Sequence, residues 1–306
     1  MRVATIDIGT NTVLLLVAER RSDGVLHAVE DRATITRLGE GVDRSRRLAP
    51  AAIERTLACL DEYVAIVRGS GADRVAVVGT SAMRDASGGE VVRAHLRAAL
   101  GVEVRVVSGD EEARLTFRGA LSGLPPQAGQ EIAVFDIGGG STEIVIGRPG
   151  DPPLVAFAES FDVGSVRLTE RHVAHDPPST EECDRIVRAA REAFSRVPPL
   201  PGADAPVGIA GTVTTLAAVS LGLVPYDGAR IHGHVMSRAD LGAAVAQLAG
   251  LDLASRRLVP GIEPKRADVI VGGGLIVLAL VDHWGAKAFR VSDRGVRWGL
   301  AEELSL

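Results

Sequence analysis

The sequence predicts two similar α/β domains with a cleft between them, and an internal repeat is the main observation behind this prediction. In each half of the chain a buried strand ends in Asp-Ile-Gly, a short polar or glycine-rich turn follows, and a second strand begins. These turns start at Asp7 and at Asp136. Each copy continues into a third strand-like stretch, and helices then alternate with short apolar strands, which is typical of α/β domains.

The period of the apolar residues predicts the individual elements. In the first half we expect strands at 2–6, 13–17, 25–29, 74–78 and 103–107 and helices at 51–67 and 89–100. In the second half we expect strands at 132–135, 143–146, 154–158, 206–210 and 288–291 and helices at 180–194, after 211, at 238–251 and at 264–284. Pro125 and Pro126 indicate a linker, so the predicted domains are 1–124 and 125–306, although the last few residues could pack back on the first domain.

The composition excludes several classes of protein. The longest run of apolar residues and glycine, 269–281, is shorter than the roughly 20 residues of a bilayer-spanning helix, so we expect no membrane span. Aromatic residues make up only 3% of the chain, which argues against a surface that stacks nucleic-acid bases. A net charge of −5 argues against binding a polyanion over the whole surface, so an anionic ligand would have to be held locally.

The two cysteines favour a cytoplasmic protein. Cys59 and Cys183 lie in predicted helices and form no Cys-x-x-Cys pair, so neither a disulfide framework nor a zinc cluster is expected. The chain begins directly with a strand-like segment that has no signal-peptide pattern.

Both repeated turns carry the residue types of a phosphate-binding loop. Glycines reach positive φ and let a ligand approach the backbone, and successive N–H groups can converge on one anion. Hydroxyl and amide side chains add donors for phosphate oxygens. The candidate phosphate-binding residues are Gly9, Thr10, Asn11 and Thr12 in the first turn and Gly138, Gly139, Gly140, Ser141 and Thr142 in the second. Asp7 and Asp136 would repel a phosphate unless a hard cation such as Mg²⁺ lay between them and it.

Ordinary hairpin turns are the alternative for either turn alone, since Gly and Asn suit such turns. Two matching copies, each opened by Asp-Ile-Gly, favour phosphate binding between two related domains. No Gly-Lys-Ser/Thr follows either turn, so neither is a Walker A loop, and each turn enters a strand, unlike a dinucleotide-binding fingerprint.

Through these motifs the chain resembles the exopolyphosphatase and guanosine pentaphosphate phosphohydrolase family, a branch of the actin, Hsp70 and sugar-kinase superfold. The resemblance covers nearly the whole chain in the family's order. The matching stretches are 7–12, 80–86, 108–113, 136–143, 210–216, 266–270 and 292–297. The resemblance implies two ribonuclease H-like (actin-like ATPase) domains with the active site in the interdomain cleft, and it also suggests a homodimer.

The adjacent acids Glu111 and Glu112 follow the predicted strand 103–107. Taken alone, the pair is typical of acids that stabilise the start of a helix, with Ser108 as the candidate N-cap. The resemblance instead matches Glu112 to the family's catalytic glutamate, and a carboxylate there could position and deprotonate an attacking water. We therefore predict Glu112 as the general base and Glu111 as a helix-start charge.

Three further acids form the predicted metal site. Asp136 and Glu143 flank the second turn, and the resemblance assigns both to activity and metal binding. Together with Asp7 they are the expected carboxylates for Mg²⁺ or a similar hard cation. A solvent-facing strand position is the alternative for Glu143.

Arg84 and Arg266 are the predicted phosphate clamps, because a guanidinium grips phosphate oxygens with two parallel donors. Arg84 follows a strand and a Thr-Ser turn, and Arg266 lies near the start of the predicted helix 264–284. A solvated surface position is the default alternative for any single arginine.

Several weaker motifs keep two interpretations. Residues 211–215 suit a phosphate loop or a helix start with threonine caps equally well. Residues 272–274 suit close helix packing better than ligand contact. His232 and His234 lack acidic or cysteine neighbours in the sequence, so a loop or interface is favoured over a metal site.

Two departures from the family pattern affect the expected substrate more than the expected reaction. Trp298 stands where the family usually has glutamate, and Gly88-Gly89 stands where an asparagine is often found.

The resulting hypothesis is an exopolyphosphatase that hydrolyses terminal phosphate from inorganic polyphosphate with a Glu-activated water and Mg²⁺. The alternatives are a guanosine pentaphosphate (pppGpp) 5′-phosphohydrolase, a non-catalytic sensor of polyphosphate or an alarmone, and an ATP-dependent kinase of the same superfold. The extra C-terminal domains of longer family members are absent from this sequence, which favours polyphosphate over the nucleotide.

Overall fold

The chain folds into two compact α/β units in a computed structural model. The structure describes residues 1–22, 24–124, 130–150, 153–200 and 205–306. One unit comprises Met1–Gly123 together with Val296–Leu306, and the other comprises Leu124–Gly295. Pro125 and Pro126, which indicate the predicted linker, lie outside the described residues.

Each unit is built on one mixed sheet, and the two sheets repeat the same strand order. The first unit contains β1 (Arg2–Ile8), β2 (Thr12–Arg20), β3 (Leu26–Ile35), β4 (Arg74–Gly79) and β5 (Val104–Val106). The second contains β6 (Ile132–Ile137), β7 (Thr142–Arg148), β8 (Leu154–Phe161), β9 (Val207–Ile209), β10 (Val235–Ser237) and β11 (Ala288–Val291). The orders are β3-β2-β1-β4-β5 and β8-β7-β6-β9-β11, with β10 added beside β11. The predicted repeat of two similar α/β domains is therefore confirmed.

The helices lie between and after these strands. They are α1 (Val42–Ser45), α2 (Pro50–Ser70), α3 (Ser81–Asp85), α4 (Glu90–Leu100), α5 (Gly109–Leu121), α6 (Ser165–His172), α7 (Thr180–Phe194), α8 (Ala210–Ser220), α9 (Gly228–Ile231), α10 (Arg238–Ala249), α11 (Leu253–Arg256), α12 (Ile270–His283) and α13 (Val296–Leu304). In the described part of the chain, none of them is long and apolar enough to cross a membrane.

Strand β1 lies at the centre of the first unit and is covered on both faces. Ile6 belongs to the core that α2 and α4 complete, and Val3, on the other face, packs in a cluster with Trp298 of α13. Thr5 shares a face with Val3, and its hydroxyl donates to the backbone oxygen of Arg297 at 2.9 Å. Because both faces are buried, the strand is apolar almost throughout, as its sequence predicted.

In the second unit, α12 packs closely against the helices α6, α8 and α10. Side chains added at Gly272 and Gly273 would overlap Thr169 of α6 and Thr212 of α8, and one at Gly274 would overlap Val245 of α10. The glycines therefore serve helix packing, which confirms the favoured interpretation of residues 272–274.

One predicted helix was wrong, and the sequence interpretation missed several short elements. The segment 264–284 is not one helix: Pro264–Arg266 forms a 3₁₀ turn, and α12 begins only at Ile270. The backbone N–H of Val269 donates to the oxygen of Arg266, so this stretch closes tighter i to i+3 bonds before the α-helix starts. The sequence interpretation also missed α6, α13 and β10, which are short or carry weak periodicity.

Helix α7 begins with a capping box that gives Glu182 a buried structural role. The Ser179 hydroxyl accepts from the Glu182 backbone, and the Glu182 carboxylate accepts from the backbone N–H groups of Ser179 at 2.8 Å and Ala174 at 2.7 Å. These backbone bonds, with His175 Nδ1 at 2.9 Å, lower the pKa of Glu182 from 4.5 to about 2. A carboxylate with a depressed pKa stabilises the fold above its unfolded pKa and loses that effect as pH falls through the folded pKa.

We therefore expect Glu182→Gln to lower stability at pH 6 by more than it does at pH 3. The wild-type advantage should shrink as pH falls from about 4.5 towards 2, because over that range the unfolded chain takes up a proton at Glu182 that the folded protein does not. Urea unfolding at several pH values measures this difference. Glu181→Gln, an exposed neighbour paired with Arg185, is the control. An equal loss for Glu182→Gln at pH 6 and pH 3 would contradict the prediction.

Candidate active site

The first repeated turn is held by its own carbonyl groups. The Gly9 N–H donates to the Thr12 oxygen at 3.1 Å and closes the turn after β1. The Thr10 oxygen accepts from the Gly39 N–H at 2.8 Å, and the Asn11 oxygen accepts from the N–H groups of the segment after β3. Because the C=O and N–H of one peptide point in opposite directions, the Asn11 N–H faces away from Gly39. The peptide between Thr10 and Asn11 is therefore held in one orientation, with its N–H on the side of the turn away from Gly39.

The glycines of the two turns act through close approach rather than through left-handed backbone, so the expectation of positive φ was wrong. None of Gly9, Gly138, Gly139 and Gly140 has positive φ. A side chain at Gly9 or Gly138 would instead crowd the carbonyl oxygen that closes its turn. Glycine is needed because that oxygen lies where a Cβ would be.

Glu112 and Arg84 form a buried ion pair in the first unit. Helix α5 is capped by Ser108, whose hydroxyl accepts from the Glu111 N–H at 3.2 Å, as the sequence predicted. Glu112 lies in the first turn of α5 with its side chain 8% exposed, and Arg84 Nη1 lies 2.9 Å from Glu112 Oε2. Glu111 points elsewhere and lies near Arg105, with its side chain 33% exposed. Only Glu112 of the adjacent acids is therefore held in a defined, enclosed position.

This ion pair is connected to the first turn through α3. Ser81 begins α3, and its hydroxyl lies 2.7 Å from the hydroxyl of Thr10. Arg84 lies in the same short helix and also donates to the Val107 backbone oxygen at 3.2 Å. The structure thus brings together Thr10, Arg84 and Glu112, three of the residues that the sequence singled out.

In the second unit the N-terminus of α6 binds the carbonyl groups of the glycine turn. The Ser165 N–H donates to the Gly138 oxygen, and the Val166 N–H donates to the Gly139 oxygen, both at 2.9 Å. The turn itself closes with a bond from the Gly138 N–H to the Ser141 oxygen at 3.0 Å. The helix N-terminus is therefore occupied by protein carbonyls.

Arg167 completes this arrangement, and the sequence interpretation missed it. Its Nε donates to the Gly140 oxygen at 2.6 Å, and its side chain is only 7% exposed. Asp162 lies 3.5 Å from the guanidinium but is itself largely exposed. The only sequence signal was an arginine among apolar residues soon after the third strand of the repeat, which is too common a pattern to identify a site.

The bound carbonyls fix the direction of three successive backbone N–H groups. The oxygens of Gly138, Gly139 and Gly140 face α6, so the N–H groups of Gly139, Gly140 and Ser141 face the opposite way. These three N–H groups donate no hydrogen bond to the part of the chain that the structure describes. Consecutive donors arranged in this way form a concavity suited to an anion.

Asp136 and Glu143 lie directly opposite each other on β6 and β7, next to the glycine turn. On the other side of Glu143, Ser160 of β8 lies directly opposite it, and the Ser160 hydroxyl donates to Glu143 Oε1 at 2.8 Å. Like charges placed opposite each other on paired strands repel. In the first unit Asp7 corresponds to Asp136, and the residue opposite Asp7 is Leu14 rather than a second acid. The two carboxylates thus occur together in only one of the copies.

The donor set fits a magnesium ion better than a closed structural metal site. No group of three or more His, Cys, Asp or Glu side chains that could hold a metal ion occurs within the described ranges. Mg²⁺ typically uses one or two protein carboxylates and takes its other ligands from water and substrate phosphates. Asp136 and Glu143 would supply those two carboxylates. Glu143 is 2% exposed, so it is not the solvent-facing residue that the sequence also allowed.

Arg266 lies against the start of α8 rather than at the start of a helix of its own. A side chain at Gly211 would overlap the Arg266 guanidinium, so the glycine makes room for it. Burial lowers the pKa of Arg266 from its ordinary value.

Helix α8 begins with an unusual backbone conformation. Ala210, the residue before Gly211, has φ of 67°, an uncommon left-handed backbone for a residue with a side chain. Residues 211–215 begin the helix, and Thr214 donates its hydroxyl to the Ala210 oxygen.

His232 pairs with an acid that is distant in the sequence. Its Nδ1 lies 3.0 Å from Asp293 Oδ1 and 3.3 Å from the Ser292 hydroxyl. His234 is placed by backbone bonds at the edge of β11. The pair is compatible with the favoured loop position for both histidines.

Comparisons with known proteins agree with the motifs over the full chain. A model of the Ppx/GppA phosphatase family matches residues 16–305. Exopolyphosphatase 2 of Mycobacterium tuberculosis is 40% identical over 319 aligned residues, covering 99% of this chain and 98% of the relative.

Solved structures of similar proteins share the fold. The crystal structure of an exopolyphosphatase-like protein matches with a TM-score of 0.91 and 33% identity, covering 99% of this chain and 97% of the other. The Ppx/GppA family member of Aquifex aeolicus matches with a TM-score of 0.84 and 33% identity, covering 100% of this chain and 97% of the other. The similarity therefore extends through both units.

Proposed function

Because the chain belongs to the Ppx/GppA phosphatase family and is therefore a hydrolase, we propose that it is an exopolyphosphatase, which removes terminal phosphates from inorganic polyphosphate. The observation that carries this proposal is the enclosed Glu112 carboxylate, which Arg84 holds close to the first repeated turn. The 40% identity with an exopolyphosphatase of similar length supports the choice of substrate.

In the proposed reaction Glu112 acts as general base. Its carboxylate takes a proton from a water molecule as the water oxygen bonds to the terminal phosphorus. The bond between that phosphorus and the bridging oxygen breaks, and the shortened chain leaves with the bridging oxygen and its negative charge. General-base catalysis typically contributes ~10²–10⁴-fold to rate. Arg84 keeps the carboxylate in place through the 2.9 Å ion pair.

The second glycine turn would stabilise the charge that develops on the transferred group. Backbone donors that are already oriented cost no reorganisation during the reaction, and such stabilisation dominates phosphoryl transfer. The N–H groups of Gly139, Gly140 and Ser141 have this fixed orientation because α6 and Arg167 hold the carbonyl groups behind them. Arg266 remains a proposed second clamp.

Asp136 and Glu143 are the residues that would hold Mg²⁺. When bound, the ion would neutralise phosphate charge and help to orient the substrate. Asp136 and Glu143 share one face of the sheet, and the Ser160 hydroxyl fixes one oxygen of Glu143. Asp7, in the first unit, stays a predicted third carboxylate.

A phosphate-release assay on several substrates tests the function. We expect release from long-chain polyphosphate in the presence of Mg²⁺, and much less release of terminal phosphate from pppGpp at equal concentration. A large advantage for pppGpp would replace polyphosphate with the nucleotide as substrate. Tight binding of polyphosphate without any release would indicate a sensor, and formation of ADP from ATP with a phosphorylated acceptor would indicate a kinase.

We expect Glu143→Gln to raise the Mg²⁺ concentration that gives half-maximal activity by about tenfold or more. Loss of a charged ligand weakens a site that has only two protein carboxylates. A Mg²⁺ titration of phosphate release measures the shift. Glu159→Gln is the matched control, since Glu159 lies next to Ser160 on the same strand and pairs with Arg196. An unchanged Mg²⁺ requirement in Glu143→Gln would remove Glu143 from the proposed metal site.

A further inference from the structure

Three exposed arginines lie close together at the end of α1. Arg44, Arg46 and Arg47 form this arginine patch, and all three side chains are exposed. None of them forms an ion pair with another residue in the described part of the chain. Other arginines of this unit are neutralised, as Arg55 is by Glu40 at 2.8 Å. The patch is thus a local concentration of positive charge in a chain whose net charge is −5.

The backbone of the patch is fixed rather than loose. Arg46 has φ of 54°, a left-handed backbone conformation that is uncommon for a residue with a side chain. Its N–H donates to the Val42 oxygen at 2.9 Å, and its oxygen accepts from the Ser87 N–H at 3.1 Å. The Leu48 N–H returns a bond to the Ser87 oxygen at 3.0 Å. These bonds hold the backbone that carries the three arginines at a defined place on the surface.

The patch is continuous with the candidate site of the first unit. Ser87 is only three residues beyond Arg84, so their Cα atoms are at most about 11 Å apart. At its other end the segment reaches the first turn, because the Val42 N–H donates to Gly39, and Gly39 donates to the Thr10 oxygen. Backbone hydrogen bonds therefore connect the patch to the segments that carry Thr10 and Arg84.

We propose that the arginine patch binds the inorganic polyphosphate chain beyond its reacting end. This inference rests on the proposed function and adds to it a preference for long chains. Inorganic polyphosphate carries a negative charge on each phosphate and no bases, so repeated guanidinium groups without aromatic neighbours suit it. The one acid within residues 43–47, Asp43, leaves the segment with an excess of two positive charges.

The proposal predicts a defect that depends on chain length. In the triple variant R44Q/R46Q/R47Q, we expect KM for long-chain polyphosphate to rise roughly tenfold, as three exposed charge contacts of this kind allow. Hydrolysis of tripolyphosphate should remain within about twofold of wild type, because its three phosphates are those at the reacting end and leave no further chain for the patch to bind. The KM of the variant should also depend less on salt, because screening acts on exposed charges.

Two matched variants separate the patch from general charge effects. R44K/R46K/R47K keeps the charges and should keep a KM close to wild type. R21Q/R188Q/R257Q removes three other exposed arginines and should not change KM by more than about twofold. An unchanged KM for long chains in the patch variant, or an equal rise in the control variant, would overturn the proposal. Thermal unfolding of all variants checks that each is folded.

The test also distinguishes this proposal from the function on which it rests. If wild type releases phosphate from neither polyphosphate, the proposed function fails. The patch is then tested by equilibrium binding of long-chain polyphosphate, where the patch variant should bind roughly tenfold more weakly than wild type. Equal binding would overturn the patch as well.

Discussion

Glu112→Gln should reduce phosphate release from polyphosphate by at least ~10²-fold while leaving polyphosphate binding within a few-fold of wild type. The amide keeps the size of the side chain and one oxygen that can accept from Arg84, but it cannot take a proton from water. The loss should therefore appear in kcat rather than in KM. Steady-state phosphate release and equilibrium binding of polyphosphate measure the two quantities separately.

Glu111→Gln is the matched control for this variant. Glu111 is the adjacent residue in the same helical turn, but it lies near Arg105 and is partly exposed. We expect nearly wild-type kcat from it. Normal turnover by Glu112→Gln, or an equal loss in the Glu111 variant, would rule out Glu112 as the base.

Gly164→Ala should have a comparably large effect through the shape of the second glycine turn. The added methyl group would overlap backbone atoms of Gly139 and Gly140, which cannot rotate away as a side chain can. The turn would have to shift, and with it the N–H groups that face the proposed phosphate. We expect kcat to fall by at least ~10²-fold, in line with the loss of oriented donors in other enzymes.

Gly69→Ala provides the comparison. Gly69 lies in α2, has no neighbour within 4 Å of an added side chain, and does not have positive φ. The variant should keep full activity and gain slightly in stability, because alanine is the better helix former. Phosphate-release kinetics combined with thermal unfolding separate a displaced turn from a general loss of fold. Wild-type kcat in folded Gly164→Ala would contradict the role given to this contact.

The repeat and the position of its turns could be predicted because they depend on local signals. Asp-Ile-Gly at the end of a buried strand occurs twice, and the strand order confirms the two copies. Ser108 was identified as a cap because a cap depends on residues within a few positions of it. For most of the elements whose bounds were predicted, the observed bounds differ by no more than two residues at each end.

The contacts that hold the candidate site depend on residues far apart in the chain, and periodicity does not reveal these. Arg84 is predicted as a clamp on phosphate, whereas in the structure its guanidinium donates to the carboxylate of Glu112, 28 positions away. Arg167 reaches Gly140 across 27 positions, and its pattern resembles that of an ordinary surface arginine. The homodimer, the cytoplasmic location, the metal and the roles of the site residues stay predictions.

The return of α13 to the first unit has a consequence for synthesis of the protein. Trp298 and Ala301 complete a core cluster with Val3 and Leu16, although nearly the whole chain separates them in translation order. A ribosome therefore finishes the continuous segment Leu124–Gly295 before the first unit can acquire its last helix. The first unit is begun before the second and completed after it, and until α13 has been made it carries an open apolar face that a chaperone could cover.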